Sequence, residues 1–248
     1  MDITAEFFIY VLVGFCAQMV DGALGMAYGT LSTAVLLSTG LAPVMVSASV
    51  HAAQSVTSAM SALSHVTLKN VDWKIFLPLA IPGMIGGIIG ALLLSHMNTD
   101  IINPFISIYL LCLGVFIIFK ALKPHISIAS LPSTRFRSIL GFCAGLMDAI
   151  GSGWGPITTT TLMARGLEPR YVIGSVNTAE FFVKTAVTTT FLTTVGLKFG
   201  PVVLGLLCGG VVAAPFAAYA VKKINPKILM LAVGVLIVGI SVYRVISL

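Results

Sequence analysis

The chain has 248 residues, of which 58% are hydrophobic and only 9% charged. Soluble domains carry about a quarter charged residues, and here the apolar runs are long, repeated and spread end to end, which excludes a soluble domain with one anchor and requires a polytopic membrane protein. The net charge of +6 does not imply nucleic acid, because Lys and Arg lie between the apolar segments, where loop charges set membrane topology.

The first residues, Met1 to Glu6, carry no basic n-region and no cleavage site, so no removable signal peptide is expected. The first apolar segment then runs from about Phe7 to Leu37. As one helix it would span roughly 45 Å, too long for a hydrocarbon core of about 30 Å. Asp21-Gly22 and Gly25 to Gly29 supply a break, since glycine weakens a helix interior and permits tight turns. Two shorter helices, or a re-entrant hairpin, are expected here. Gly40-Leu41-Ala42-Pro43 stops one helix and starts the next, with proline suited to a first turn. The helix from about Pro43 to Leu63 places His51, Gln54, Ser55 and Ser58 on one polar face, directed into the bundle or a wet cavity.

Lys69 to Lys74 is an interfacial loop anchored by Trp73. A helix from about Trp73 to Leu94 carries Gly83, Gly86, Gly87 and Gly90, a spacing that allows close helix contact. A turn is expected from His96 to Asn103, a span from Pro104 to Lys120, and a polar linker from Lys123 to Arg137. Cys16, Cys112, Cys143 and Cys208 lie in apolar segments at spacings of neither a disulfide framework nor a zinc site. They read as small hydrophobes.

The second half repeats the first. Gly14-Phe15-Cys16-Ala17, Asp21 and the glycines to Gly29 recur as Gly141-Phe142-Cys143-Ala144, Asp148 and Gly151 to Pro156. Gly29 matches Gly155, Gly40 matches Gly166, Pro43 matches Pro169 and Gln54 matches Glu180; 155 − 29 and 180 − 54 both equal 126. Gly14 and Gly141 differ by 127, so one residue is inserted between.

If each broken segment enters and returns, one side of the membrane holds Lys69, Lys74, Lys120, Lys123, Arg135, Arg137, Arg165, Arg170, Lys222, Lys223 and Lys227, and the other only Lys198 and Arg244. That asymmetry fits the positive-inside rule; a single crossing per broken segment does not produce it. The fold expected is therefore an all-α polytopic membrane protein of two inverted-topology repeats. Each is a broken helix or helical hairpin followed by three transmembrane helices. The first repeat covers residues 1–122, a cytoplasmic linker 123–137 and the second repeat 138–248, with both termini outside. Inverted repeats with broken helices are a transporter plan whose site lies near the midplane.

Helix starts at the breaks expose unpaired N–H groups and bind anions. The expected substrate site comprises Gly25, Tyr28, Gly29, His51 and Gln54 from the first half and Gly153, Trp154, Gly155, Asn177 and Glu180 from the second. The bland alternative is that the glycines permit packing and the aromatics fill core. Asp21 and Asp148 either cap the short helices or couple transport to a proton or sodium ion. Lys184 lies one turn beyond Glu180; the two either neutralise each other or share work on a proton and the anion. Thr158 to Thr161 either line the path or bond back to their own helix. Gly151-Ser152-Gly153 with His51 is a weak hydrolase signal, and the paired histidine has no visible orienting partner.

At these residues the chain resembles the sulfite exporter TauE/SafE family, of the TSUP (toluene sulfonate uptake permease) group. Carrying the resemblance are Gly14 through Gly29, Gly40-Leu41-Ala42-Pro43 with its polar helix, and the glycine-rich span from Pro82 to Gly90. In the second half they are Gly141 through Pro156, Gly166-Leu167-Glu168-Pro169, and Cys208 to Pro215. The resemblance implies secondary transport, as an exporter, of a small sulfur-containing anion such as sulfite or an organosulfonate across the bacterial inner membrane. A passive small-anion channel is the alternative, and an intramembrane hydrolase a remoter one. Neither catalytic residues, cofactor, metal nor nucleic acid is expected; the partners are the anion, the lipid bilayer and a coupling proton or sodium ion, with oligomeric state open.

Overall fold

The computed structural model describes residues 3–24, 26–122, 130–196, 200–220 and 226–247. Among these there are ten helices and no strand: α1 (Ile3–Leu24), α2 (Tyr28–Ser38), α3 (Pro43–Thr67), α4 (Trp73–His96), α5 (Thr99–Leu122), α6 (Thr134–Gly151), α7 (Trp154–Met163), α8 (Pro169–Thr194), α9 (Gly200–Ala220) and α10 (Pro226–Ile246). Three are long and apolar enough to cross a membrane: α4, α5 and, from Lys227, α10. Their outer faces are aliphatic and aromatic, as on α4 with Leu77, Ile81, Ile85, Ile88 and Leu92, which is what a helix against lipid presents.

Local chemistry sets the helix ends. Pro43 and Pro169 open α3 and α8, where a missing N–H costs no hydrogen bond. The Asp72 carboxylate accepts from the Lys74 N–H at 2.8 Å to start α4, and Ser133 Oγ accepts from the Phe136 N–H at 3.3 Å to start α6. Gly40 and Gly166 follow α2 and α7 at φ 86° and 74°, a left-handed conformation that favours glycine. Two boundaries differ from expectation. The turn expected over His96 to Asn103 shrinks to Met97-Asn98, because Asn98 Oδ1 accepts from the Asp100 N–H at 3.0 Å and starts α5 before Pro104. The polar stretch ending at Arg137 is helical from Thr134, and Arg137 is buried there, donating to Thr134 Oγ1 and the Lys74 carbonyl. Residues 123–129 of that stretch lie outside the described residues.

Contacts sort the helix ends into two rims. At one, Arg244 near the end of α10 donates to Ser107 and Asn103 on α5 and to the Leu37 carbonyl on α2, while Ser95 and Thr194 join the ends of α4 and α8. At the other, Arg137 of α6 reaches Lys74 of α4, Arg170 of α8 reaches Asn70 and Leu68 after α3, and Arg165 after α7 lies over the Phe136 ring. The α6–α7 pair thus returns to the rim it left. The α1–α2 pair does the same at the opposite rim: α1 runs parallel to α9, with Tyr10 beside Gly205 and Val11 beside Gly209, and α2 ends at Arg244.

The two parallel seams depend on glycine. A Cβ at Gly145 would lie 2.1 Å from the Gly83 carbonyl oxygen, joining α6 to α4, and one at Gly209 would lie 2.0 Å from the Val11 oxygen, joining α9 to α1. Backbone-to-backbone approach of this kind is the small-residue packing of membrane helices.

Candidate functional site at the paired helix breaks

Each broken segment turns at a residue with positive φ, and neither is glycine: Ala27 at 104° and Ser152 at 56°. Such a conformation is uncommon outside glycine and carries strain. Gly25 lies outside the described residues. Gly29 and Gly153 act instead as points of close approach. A Cβ on Gly29 would lie 2.7 Å from both Gln54 Oε1 and Ser152 Cβ, and one on Gly153 would lie 1.8 Å from the Tyr109 hydroxyl.

The two breaks meet. Thr30 Oγ1 donates to the Ser152 carbonyl at 2.7 Å and Thr33 Oγ1 to Ser152 Oγ at 2.9 Å, so the first turn of α2 rests on the turn between α6 and α7. Each short helix begins on a carboxylate: Asp21 Oδ1 accepts from the Tyr28 N–H at 3.1 Å, and Asp148 Oδ1 from the Trp154 N–H at 3.0 Å. A helix N-terminus favours an anion, and both of these already hold one.

Tyr28 and Trp154 are fully packed, 1% and 0% exposed. The Tyr28 hydroxyl donates to the Leu206 carbonyl at 3.1 Å, and Trp154 Nε1 to the Val176 carbonyl at 3.3 Å. Gly155 is buried in the first turn of α7. Thr158 and Thr160 bond back to the Trp154 and Pro156 carbonyls of their own helix, whereas the buried Thr159 hydroxyl has no partner among the described residues.

Beside the breaks lies a buried charge cluster. Lys184 Nζ donates to Asp148 Oδ1 at 2.8 Å, and His51 Nε2 meets Asp148 Oδ2 at 3.1 Å; all three side chains are 1% exposed or less. His51 Nδ1 faces the Ser47 carbonyl at 2.8 Å, and Ser47 Oγ donates to the Ala149 carbonyl at 2.5 Å. Glu180, 16% exposed, sits 3.7 Å from Lys184 and accepts from Gln54 Nε2 at 3.4 Å. Asn177 Nδ2 donates to Ser61 Oγ at 3.3 Å.

The expected neutralisation of Glu180 by Lys184 is thus secondary. The lysine's short contact is with Asp148, a residue that sequence spacing associates only with the break. His51 does have orienting partners, Asp148 and Ser47. Ser152 Oγ accepts from Thr33, and no hydrogen bond among the described residues joins it to His51. Spacing also leaves unmarked Ser47, Thr30, Thr33 and Tyr109, whose buried hydroxyl has no partner among the described residues. A threonine in α2 reads as an ordinary core polar residue until the opposite break is seen beneath it.

Residues 10–244 match the family model described as sulfite exporter TauE/SafE. The chain is also similar to the probable membrane transporter protein YtnM of Bacillus subtilis (strain 168), with 41% identity over 247 residues, covering 96% of this chain and 82% of that protein. No solved structure matches the chain. The match over nearly the whole length shows a multi-pass membrane transporter, and the chain belongs to the sulfite exporter TauE/SafE family.

Proposed function

We propose that this protein is a secondary transporter exporting a small sulfur-containing anion, such as sulfite or an organosulfonate, across the bacterial cytoplasmic membrane. One observation carries the reading: two short helices start on carboxylates, the first turn of α2 rests on the turn that precedes α7, and a buried lysine lies beside the second start. A desolvated ammonium suits a small oxyanion better than a cation or an apolar solute, whereas the two helix starts are already taken by Asp21 and Asp148. The substrate site is proposed to draw on Tyr28, Gly29, His51 and Gln54 together with Gly153, Trp154, Gly155, Asn177, Glu180 and Lys184.

The two halves, residues 1–122 and 138–248, are proposed as inverted repeats. The opposite rims of the two returning pairs support this, as does the contact between Gln54 and Glu180, which are matched positions 126 residues apart. A contact between equivalent residues is what a pseudo-twofold axis through the site produces. The rim bearing Lys69, Lys74, Arg135, Arg137, Arg165 and Arg170 is assigned to the cytoplasm and both termini to the outside. Cysteine labels at Ser38 and Asn98 are expected to react from outside and one at Ser133 from inside. Reaction of Ser38 and Ser133 from the same side removes this topology.

The functional test is flux in proteoliposomes loaded with sulfite, methanesulfonate, sulfate or acetate. Selective efflux of sulfite or the sulfonate, with counterflow, is expected, together with its loss in Lys184→Met. Conductance without counterflow makes the protein a channel, and equal rates for all four anions remove the substrate class.

A further inference from the structure

The buried cluster has more acids than fixed cations. Asp148 and Glu180 lie within 4 Å of Lys184, and Asp21 is near enough to interact electrostatically with both Lys184 and Glu180. Asp148 and Glu180, from α6 and α8, therefore share one ammonium, with the His51 ring on the second oxygen of Asp148 and Asp21 at the end of α1 adding a third acid nearby. An unpaired charge in a membrane interior is costly enough that a group neutralises instead.

Their surroundings distinguish the three acids. Asp148 accepts from Lys184 and the Trp154 N–H and meets His51 Nε2, with every distance between 2.8 and 3.1 Å. Asp21 accepts from the Tyr28 N–H at the start of α2, where the helix end favours a negative charge. Glu180 lies mid-helix in α8, away from either helix start. It receives one long bond from Gln54, and the nearby ammonium is already held at 2.8 Å by Asp148. The oxygen of the same amide, Gln54 Oε1, is buried and accepts from no described group, so this contact lacks an O–H donor that a protonated carboxyl brings. Glu180 is 16% exposed against 0% for Asp148, which gives a proton a way in and out that Asp148 lacks; Asp21 is also partly exposed, and its bond to the helix start is what sets it apart from Glu180.

We propose that Glu180 is the proton-carrying group of this transporter, protonated when an anion occupies the face of Lys184 turned toward it and ionised when that face is empty. This rests on the anion-transport reading. The step conserves charge: water delivers one proton to a Glu180 carboxylate oxygen, the carboxylate ceases to compete for Lys184, and one monoanion takes its place. Release reverses both, the proton returning to water and the carboxylate turning back to Lys184. Anion and proton therefore move in the same direction. The groups facing Glu180 are Gln54 on α3, Lys184 on its own helix, Asp148 on α6 and Asp21 at the end of α1. His51 acts on it only through Asp148.

Two measurements test the proposal. Infrared difference spectra of the purified protein, with and without methanesulfonate or sulfite, report a buried carboxylic acid by its C=O stretch and its downshift in D2O. A band gained with anion, absent in Glu180→Gln and retained in Asp21→Asn, is expected. A titration of the wild-type band against pH needs no variant and covers the case of a misfolded Glu180→Gln. A protonated carboxyl that persists in Glu180→Gln, or no carboxylic-acid band at any pH between 5 and 8 (about a unit or more either side of neutrality), overturns the assignment. In proteoliposomes, downhill methanesulfonate is expected to carry protons with it, read by a trapped pH dye, and Glu180→Gln to lose that signal. Anion flux without proton movement, or flux that requires sodium instead, overturns it as well. If no anion in the panel moves, the transport reading fails, and the pH titration of the infrared band still decides where the proton sits.

Discussion

The two breaks share a backbone device and differ in charge. Both place an aspartate before a short helix and give its carboxylate the first N–H of that helix. Both bury an aromatic residue at the helix start whose polar atom donates to a backbone carbonyl of a neighbouring helix. At the second break the aspartate is also bound by Lys184 and His51. At the first, the position matching Lys184 is Ser58 (184 − 126), whose hydroxyl turns back to the Gln54 carbonyl at 2.5 Å, and the position matching His51 is Asn177, bonded to Ser61. The backbone geometry is common to both breaks; the ionic contacts belong to the second. The second break is thereby tied by charge to α3 and α8, while the first is tied through Tyr28 and the hydroxyls of Thr30 and Thr33.

The largest effects are expected where that difference is charged. Asp148→Ala leaves Lys184 and His51 buried without their acceptor and is expected to lower stability by about 3–5 kcal/mol. Asp21→Asn keeps an acceptor for the Tyr28 N–H and removes only its charge, with an expected loss of about 1 kcal/mol. Thermal unfolding in detergent compares the two, and equal losses break the asymmetry. Adding Lys184→Met to Asp148→Ala should recover part of the loss, because the stranded ammonium is then gone. Failure to recover any would show that Asp148 acts through the Trp154 N–H rather than through the ion pair.

Next come the aromatics. Trp154 is fully buried with its ring against Gly83, so Trp154→Ala should cost about 3–5 kcal/mol, and no small residue refills a space that Gly83 leaves open. Tyr28→Phe keeps the packing and removes one hydrogen bond to Leu206, an expected loss of about 1 kcal/mol. A larger loss in Tyr28→Phe than in Trp154→Phe would reverse the ranking of the two breaks.

Helices and breaks were readable because each rests on local chemistry. Pro43 and Pro169 mark helix starts, Gly40 and Gly166 mark helix ends, and the excess of apolar residues over any one span forces a break near Asp21 and Asp148. Residues that adopt the strained turn were not readable: Ala27 and Ser152 take the left-handed conformation although glycines stand nearby. Neither was the partner of Lys184. An i, i+4 neighbour such as Glu180 is visible in one dimension, whereas Asp148, 36 residues away, becomes the shorter contact only when α6 and α8 meet. The glycines at the breaks carried a third ambiguity. Sequence cannot say whether a missing side chain makes room for a ligand or for another part of the chain, and at Gly153 the space belongs to Tyr109.

The smallest expected effect examines the joint between the two breaks. Thr33 Oγ1 donates to Ser152 Oγ, and both atoms are buried, so Thr33→Val leaves the serine oxygen without its donor while keeping the side-chain volume. An expected loss of about 1 kcal/mol follows. Thr158→Val is the matched control: it sits one turn into the other short helix, but its hydroxyl bonds only to the Trp154 carbonyl of its own helix, a bond that competes with the backbone ladder rather than joining two elements. Its loss is expected to stay within a few tenths of a kcal/mol. If Thr158→Val costs as much as Thr33→Val, the hydroxyls act by filling polar core alike, and the bond across the breaks contributes nothing that distinguishes one short helix from the other.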